Sequence, residues 1–275
     1  MKNYSSETFG VFRIVFGTYL LIHFIQLIPF GTEIWSNKGI LPNENVNLTY
    51  GFPNLLNQFD DPNHISIVLY ILCFCSIILI SGFQRQFIAI VLWLGWMFLF
   101  NRNNLISNPS IPFVGWLLLC CIVIPKGEKF TLFSIPKTKW EIPRIIIIGA
   151  WIIMSVSYTI SGIDKLNAPS WANGDAIYYL LQNPLARNWD VRTFFLSFPR
   201  SVLKGITFSI LFIEISFAFF AIFKRTRFLI WTLMIIAHLG ILLLVDFADL
   251  TLGMLMIHVF TFDYNWIKKQ SISIQ

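Results

Sequence analysis

Charge is scarce in this sequence of 275 residues: only 12% are Asp, Glu, Lys or Arg, whereas 56% are hydrophobic. The mean hydropathy is +0.68. A soluble domain of this length cannot bury so much apolar surface, but a chain that crosses a lipid bilayer several times requires it. The composition therefore excludes a soluble domain and predicts an integral membrane protein.

The sequence also lacks the short motifs of several protein classes. Its four cysteines, Cys73, Cys75, Cys120 and Cys121, show no C-x-x-C spacing and lie in apolar segments, so they predict neither a redox pair nor a metal site. The absence of a Walker A loop and of G-x-G-x-x-G leaves nucleotide-driven transport and a Rossmann cofactor without support. No soluble segment carries a basic stripe with interleaved aromatic residues, which argues against nucleic-acid binding.

Long apolar runs are what the chain has instead. Eight of them are long enough, or nearly long enough, to cross a bilayer as helices. They cover residues 9–29, 66–83, 87–100, 111–125, 142–161, 205–223, 228–245 and 250–262. The runs predict an all-α protein, a polytopic membrane helical bundle with about eight transmembrane helices. Because no repeat or linker is evident, we expect a single domain over residues 1–275.

Lysine and arginine residues collect on one side of this eight-helix alternation. With the N-terminus inside, the cytoplasmic loops receive Lys2, Arg85, Lys126, Lys129, Lys137, Lys139, Lys224, Arg225, Arg227, Lys268 and Lys269. Positive charge in short loops marks the cytoplasmic side, so both termini are predicted to be cytoplasmic. The rich use of Ile, Asn, Lys and Phe resembles that of an AT-rich bacterial genome, which predicts a bacterial inner or plasma membrane.

Two external segments, residues 30–65 and 162–204, are too long to be simple turns. In the second segment Ser170 is positioned as a helix N-cap. Apolar residues follow it at helical spacing: Trp171, Ile177, Tyr178 and Leu181. This pattern predicts external helices that lie on the membrane interface.

One apolar run ends in the polar sequence SYTISGIDKL. On a helix Ser157, Ser161 and Lys165 fall on one side, with Tyr158 and Gly162 beside them. Because polar groups avoid lipid, we expect that side to face protein or a cavity. A lysine held there away from water loses its proton more easily and becomes a usable base. The alternative is that Lys165 snorkels to the lipid headgroups at the helix end.

Two ionisable residues, Glu214 and His238, lie near the middle of the sixth and seventh runs. Charged groups inside a membrane are costly and are therefore candidates for function. The antiparallel order of the two runs places both residues at a similar depth, so we expect them to form a coupled pair. That pair either locks two helices together or accepts protons beside a cavity, since histidine changes charge near neutral pH.

Together these residues resemble the HTTM family, the horizontally transferred transmembrane proteins, and in particular the membrane domain of the vitamin K-dependent γ-carboxylases. The resemblance covers nearly the whole chain at low identity. It is carried by Phe12-Arg13 with Phe16-Gly17, by Tyr158 to Leu166 followed by Trp171 and Gly174, by Glu214, and by His238 followed by Leu252-Gly253-Met254. The order of tyrosine, small residue, glycine, lysine, leucine and tryptophan around Lys165 is its most specific part.

The resemblance implies a quinol-dependent membrane enzyme. In the carboxylases the lysine that corresponds to Lys165 deprotonates reduced vitamin K, and oxygenation of the quinol yields an epoxide and a strong base that allows a peptide glutamate to be carboxylated. The candidate catalytic residues are Lys165, His238 and Glu214. The implied cofactor is a reduced quinone, menaquinol or a vitamin K-like quinol, without a metal. Its candidate binding residues are Tyr158, Ser161, Trp171 and Asn108.

A second interpretation is non-catalytic. The chain has Asp164 where the carboxylases have a second lysine, and Ser110, aligned through Gly115, where they have a histidine. It has no counterpart of their large lumenal domain, so we expect another protein to recruit any peptide substrate. Bacterial HTTM proteins without that domain include ones similar to the sporulation-delaying protein B, which works with a small partner in maturing a secreted peptide toxin. The alternative is therefore a membrane scaffold or binding subunit for a lipid, a peptide or a small accessory subunit.

Overall fold

The computed structural model describes residues 4–42, 53–59, 61–132 and 139–266. The described part of the protein is all-helical: 75% of these residues lie in helices, and none of them lies in a strand. The predicted all-α class is therefore confirmed. The chain forms two compact units, Met1–Pro143 and Arg144–Gln275, while the single domain over residues 1–275 stays a prediction.

The described residues of the first unit form five α-helices. They are α1 (Ser6–Leu27), α2 (Gly31–Trp35), α3 (Asn63–Ser81), α4 (Arg85–Arg102) and α5 (Ser110–Val123). The helix α1 packs along α3, and α4 packs against both α3 and α5. Gly82 ends α3 in a left-handed backbone conformation (φ 77°), which lets its amide bond the carbonyls of Ile78 and Leu79.

The second unit contains seven α-helices in its described part. They are α6 (Arg144–Lys165), α7 (Pro169–Ala172), α8 (Ala176–Gln182), α9 (Asp190–Leu196), α10 (Arg200–Ile222), α11 (Arg227–Leu244) and α12 (Ala248–Thr261). The long helices pack in sequence, α6 against α10, α10 against α11 and α11 against α12, and α12 returns to α6.

Each of the eight apolar runs forms a helix whose ends differ from the predicted ends by a few residues. Among the described residues, five segments are long and apolar enough to cross a membrane: Ser6–Trp35, Asn63–Ser81, Arg144–Lys165, Arg200–Ile222 and Arg227–Leu244. The apolar helices Ser110–Val123 and Ala248–Thr261 are shorter. These helices are those of a membrane-embedded protein, and the total of about eight spans stays a prediction.

Two fully buried arginines hold helix ends together in the first unit. Arg85 donates to the carboxylate of Glu128, with Nε 2.7 Å from Oε1. Its other nitrogens donate to the backbone carbonyl of Cys121 in the last turn of α5. They also donate to the carbonyls of Ile124 and Pro125, which follow that helix. Arg13 of α1 donates to the carbonyls of Leu79, Ile80 and Phe130. Because the last carbonyls of a helix have no partner within it, the guanidinium groups satisfy them.

The segment between α6 and α10 folds into three short helices. The helix α7 begins with Pro169, and the preceding Ala168 is its N-cap, so the predicted role of Ser170 as an N-cap was wrong. Proline suits the first helical position because its fixed φ matches a helix and it has no amide to satisfy. Gly174, with φ 78°, separates α7 from α8. The helix α8 then contributes to an apolar core of Ile177, Leu181, Leu203, Leu244 and Val245.

Candidate functional site

Lys165 and Glu214 form an ion pair in the second unit. Lys165 is the last residue of α6, and Glu214 lies within α10. The lysine Nζ donates to both carboxylate oxygens and lies 2.5 Å from Oε1. The two side chains are 25% and 11% exposed. Most of each side chain is therefore buried within the protein, and a small part of each remains exposed.

The local sequence positions the lysine for this contact. Helical side chains tilt toward the N-terminus of their helix, so the side chain of Lys165 runs back along α6. One turn earlier, Ser161 places its Oγ 3.5 Å from Oε2 of Glu214. Thr159 accepts a hydrogen bond of 3.3 Å from the amide of Ala218. The side chains of Thr159, Ser161 and Lys165 therefore face α10.

Trp171 covers the same lysine from the segment that follows α6. The ammonium of Lys165 lies 4.8 Å from the centroid of the Trp171 ring, a distance at which the negative face of an indole attracts a cation. Contacts with the protein thus hold Lys165 on two sides, while the neighbouring Asp164 is exposed. The lysine ends a helix long enough to cross a membrane, so a charged, partly buried cluster lies at the end of that helix.

A second polar cluster surrounds Tyr158, two turns before Lys165 on α6. The hydroxyl of Tyr158 lies 2.8 Å from Nε2 of His238 in α11 and 2.8 Å from Nε2 of His258 in α12. All three residues are buried. The Tyr158 ring packs on Phe217 at a centroid distance of 4.9 Å. One phenol therefore joins three helices through two imidazoles.

The expected direct pair between Glu214 and His238 was wrong. Glu214 bonds Lys165 and Ser161, whereas His238 uses Nε2 to bond Tyr158. The other nitrogen of His238, Nδ1, has no hydrogen-bond partner among the described residues. The side chains of Glu214 and His238 point in different directions from their helices. The depth of a residue along its helix does not determine that direction.

His258 belongs to this cluster but is not among the catalytic and binding residues predicted from the sequence. The sequence carries a signal for it, because Thr251, His258 and Thr261 fall on one face of the apolar helix α12. In the structure all three residues are fully buried. Trp231 of α11 donates to the His258 carbonyl at 3.3 Å. A polar stripe on an apolar helix predicts a hydrogen-bonding partner on the facing helix.

Asn108 lies in the first unit, just before α5. Its Oδ1 accepts hydrogen bonds from the amide and the hydroxyl of Ser110, at 2.9 and 2.6 Å. The side chain thus supports the first turn of α5 locally. Its role as a cofactor-binding residue stays a prediction.

The chemistry that these two clusters offer is proton transfer. They combine a carboxylate, an amine, a phenol and two imidazoles, which are the side chains that accept and donate protons in enzymes. In the part of the chain that the structure describes, no three His, Cys, Asp or Glu side chains are placed to hold a metal ion.

The chain matches no protein-family model, no curated protein and no solved structure.

Proposed function

We propose that the protein is an HTTM-type membrane enzyme that uses a reduced quinone to modify a secreted or membrane peptide. The observation that carries the proposal is the ion pair of Lys165 and Glu214, held beside Trp171 at the end of an apolar helix. Ionisable groups are costly inside a membrane and are functional candidates for that reason.

The side chains present suit a reduced quinone. Trp171 has an indole face on which an aromatic ring stacks favourably. Lys165 donates hydrogen bonds and Glu214 accepts them, so the pair meets both the oxygen and the hydroxyl of a quinol. When bound, the quinol supplies an acidic hydroxyl and, with oxygen, the strong base that removes a proton from a peptide glutamate. Asn108 and Ser161 are further proposed binding residues.

In this proposal Lys165 and Glu214 act together as one proton acceptor. The Nζ of Lys165 donates to both oxygens of Glu214, so in this proposal Nζ becomes a base only after it has passed a proton to Oε of Glu214. The neutral amine then takes up a proton and becomes an ammonium beside a protonated Glu214. Tyr158 of α6 and His238 of α11, which bond each other, are proposed to hold or move protons.

The peptide is proposed to reach this site with the help of a small accessory subunit. The positive-inside charge pattern supports an orientation with both termini in the cytoplasm of a bacterium, which puts Lys165 at the outer face of the plasma membrane. A secreted peptide would meet the site there.

Quinol turnover by purified protein in lipid nanodiscs tests the proposal. Vitamin K hydroquinone or menaquinol is added with oxygen, and the quinone epoxide is measured by liquid chromatography. We expect epoxide formation to fall at least ~100-fold in Lys165→Ala and Glu214→Gln, because that is the usual contribution of a positioned acid or base. Lys224→Ala, which changes an exposed lysine of the same unit, is the control. Full epoxide formation by Lys165→Ala, or failure of both quinols to bind, would contradict the proposal.

The alternative is a non-catalytic binding subunit for the maturation or export of a peptide toxin. One observation favours it: Lys165 is neutralised by Glu214, and a paired lysine can serve as a structural cation. This alternative predicts that the protein co-purifies with a small membrane partner, that its deletion stops maturation of a secreted peptide, and that Lys165→Ala restores maturation in the deletion strain. If Lys165→Ala fails to restore maturation although it is folded and bound to the partner, the enzyme proposal is favoured.

A further inference from the structure

A pocket lies between two chain segments at one end of the first unit. One wall is the turn that joins α3 to α4, residues 82–85, and the other is formed by residues 126–128 after α5, together with Thr131 and Leu132. The pocket has a volume of about 240 Å³. A single water molecule needs roughly 10–15 Å³ of such space. The pocket therefore has room for a tetrahedral phosphate group.

An ammonium group stands on the exposed rim of this pocket. Lys126 is exposed, and its Nζ donates to Oε1 of Gln84 on the other wall at 3.1 Å. An amide oxygen is a neutral acceptor, so this hydrogen bond does not neutralise the lysine. An ammonium has three donors, which leaves Lys126 able to bond an anion in the pocket as well.

Two buried guanidinium groups add positive charge at the wall. Arg85 lines the pocket. A Cβ atom on Gly82 would lie 2.9 Å from Cζ of Arg13, so this arginine lies directly behind the part of the wall that Gly82 forms. One carboxylate serves both arginines, because Oε1 of Glu128 lies 2.7 Å from Nε of Arg85 and 3.7 Å from Nε of Arg13.

The charges that line the pocket or lie directly behind it do not balance. Lys126 and the two arginines carry three positive charges, against the single negative charge of Glu128. The carbonyl ends of α3 and α5, to which the arginines donate, each offset about half a charge. The N-terminus of α4, which has no side-chain cap, adds about half a positive charge. Since about one and a half positive charges remain, the pocket attracts an anion.

Apolar side chains border the same pocket. Phe83 and Leu132 line it and are 48% and 58% exposed. The helix α3, which ends at this pocket, is long and apolar enough to cross a membrane. The pocket therefore lies where a phospholipid has its headgroup, with apolar surface beside it for the first carbons of an acyl chain.

We propose that this pocket is a binding site for a phosphate group. Lys126 gives the phosphate charge-assisted hydrogen bonds, and the buried guanidinium groups supply a positive field behind it. Basic pockets at the cytoplasmic ends of membrane helices bind anionic lipid headgroups, and the predicted orientation puts this end of the first unit in the cytoplasm. All of these residues belong to the first unit, so the site does not depend on the quinol chemistry proposed for the second.

Thermal unfolding of the purified protein in a neutral detergent tests the site, because a ligand that binds the folded state raises the unfolding midpoint with its concentration. The ligands are dioleoylphosphatidylglycerol and inorganic phosphate. The controls are dioleoylphosphatidylcholine and sodium chloride at equal ionic strength. We expect a saturable rise with phosphatidylglycerol or phosphate and no comparable rise with either control. A rise with phosphatidylglycerol alone identifies a lipid headgroup as the source of the phosphate, and a rise with inorganic phosphate shows that free phosphate also binds.

Two substitutions at exposed side chains probe the pocket without touching the buried arginines. Lys126→Gln should weaken the apparent affinity at least ~10-fold, as for the loss of a hydrogen bond to a charged group. Gln84→Glu should abolish the rise, because a carboxylate there repels the phosphate and pairs with Lys126. Lys129→Gln is the matched control: it removes an equal charge from an exposed lysine that pairs with Glu7, and its affinity should stay within about twofold of the native value.

Several results would overturn the proposal. The first is the absence of any rise with both phosphatidylglycerol and phosphate. The second is an equal rise with phosphatidylcholine, which would show that acyl chains alone bind. The third is undiminished affinity in Lys126→Gln, and the fourth is an equal loss in Lys126→Gln and Lys129→Gln, which would indicate general attraction to a basic surface. Unfolding midpoints without ligand show that each variant is folded.

Discussion

A Cβ atom on Gly162 of α6 would lie 2.8 Å from the backbone nitrogen of Ile215 in α10. Real Cβ atoms do not approach other atoms so closely, and a backbone atom cannot move aside as a flexible side chain can. The contact is next to Glu214 in sequence. The absence of a side chain at position 162 therefore sets how close the carboxylate comes to Lys165.

Gly162→Ala should separate α6 from α10 and destabilise the protein. Overpacking a tight contact typically costs about 1–3 kcal/mol, which should appear as a lower midpoint of thermal unfolding in detergent. Gly205→Ala in α10 is the matched control, because a Cβ there meets nothing within 4 Å. That variant should be neutral or slightly more stable, since alanine favours a helix over glycine. Equal midpoints for the two variants would show that the close approach does not matter.

Lys165 and Glu214 should be energetically coupled. A double-mutant cycle with Lys165→Met and Glu214→Gln should give a non-additive free energy of unfolding of roughly 0.5–3 kcal/mol, as for residues in direct contact. Each single variant leaves a partly buried charge or acceptor without its partner. Chemical denaturation in mixed micelles measures the three variants against the native protein.

The comparison pair for that cycle is Lys129 and Glu7 of the first unit. Their side chains are 49% and 47% exposed, with Nζ 2.6 Å from Oε1. Exposed ion pairs contribute about 0–1 kcal/mol, so this cycle should be close to additive. A coupling at Lys165–Glu214 no larger than that of the exposed pair would remove the evidence that burial strengthens it.

Arg85→Met should destabilise the first unit. The substitution removes the hydrogen bonds to Glu128 and to the carbonyls of Cys121 and Ile124, and breaking a buried ion pair from one side costs roughly 3–5 kcal/mol. Thermal unfolding is the measurement, and Arg144→Met, at an exposed position, is the control. A midpoint for Arg85→Met within error of that for Arg144→Met would contradict the role assigned to the guanidinium.

The predicted orientation can be tested by labelling cysteines in intact cells. Asn188→Cys should react with a membrane-impermeant maleimide, and Lys224→Cys should react only after permeabilisation, because basic loops stay in the cytoplasm. Both positions are exposed, and the four natural cysteines are buried, so the native protein is the unlabelled background control. The reverse labelling pattern would require the opposite topology.

Hydropathy located the helices but not their ends, and α4 shows why. The apolar run covers residues 87–100, whereas the helix extends from Arg85 to Arg102. Both terminal arginines are buried, and Arg102 donates to the carbonyls of Leu41 and Ser36 at 2.8 and 3.2 Å. A hydropathy pattern scores arginine as a loop residue. It has no information about distant carbonyls that take up the charge.

The structure brings several of the candidate residues together, but the sequence did not predict how they pair. The polar stripe with Tyr158, Ser161 and Lys165 could be recognised because helical periodicity puts these residues on one side. The partner of Glu214 could not be read in the same way, since it depends on the rotation of α10 and on the backward reach of the lysine side chain. Tertiary geometry decides both.

The boundary at Pro143 has a genetic consequence. Among the described residues, the hydrogen bonds of the Lys165–Glu214 pair and of the Tyr158 cluster are all made by residues after this boundary. One contiguous stretch of the gene therefore encodes both clusters. A recombination event at codon 143 would transfer them together, and selection can alter the sequence of the first 143 residues without replacing any member of either cluster.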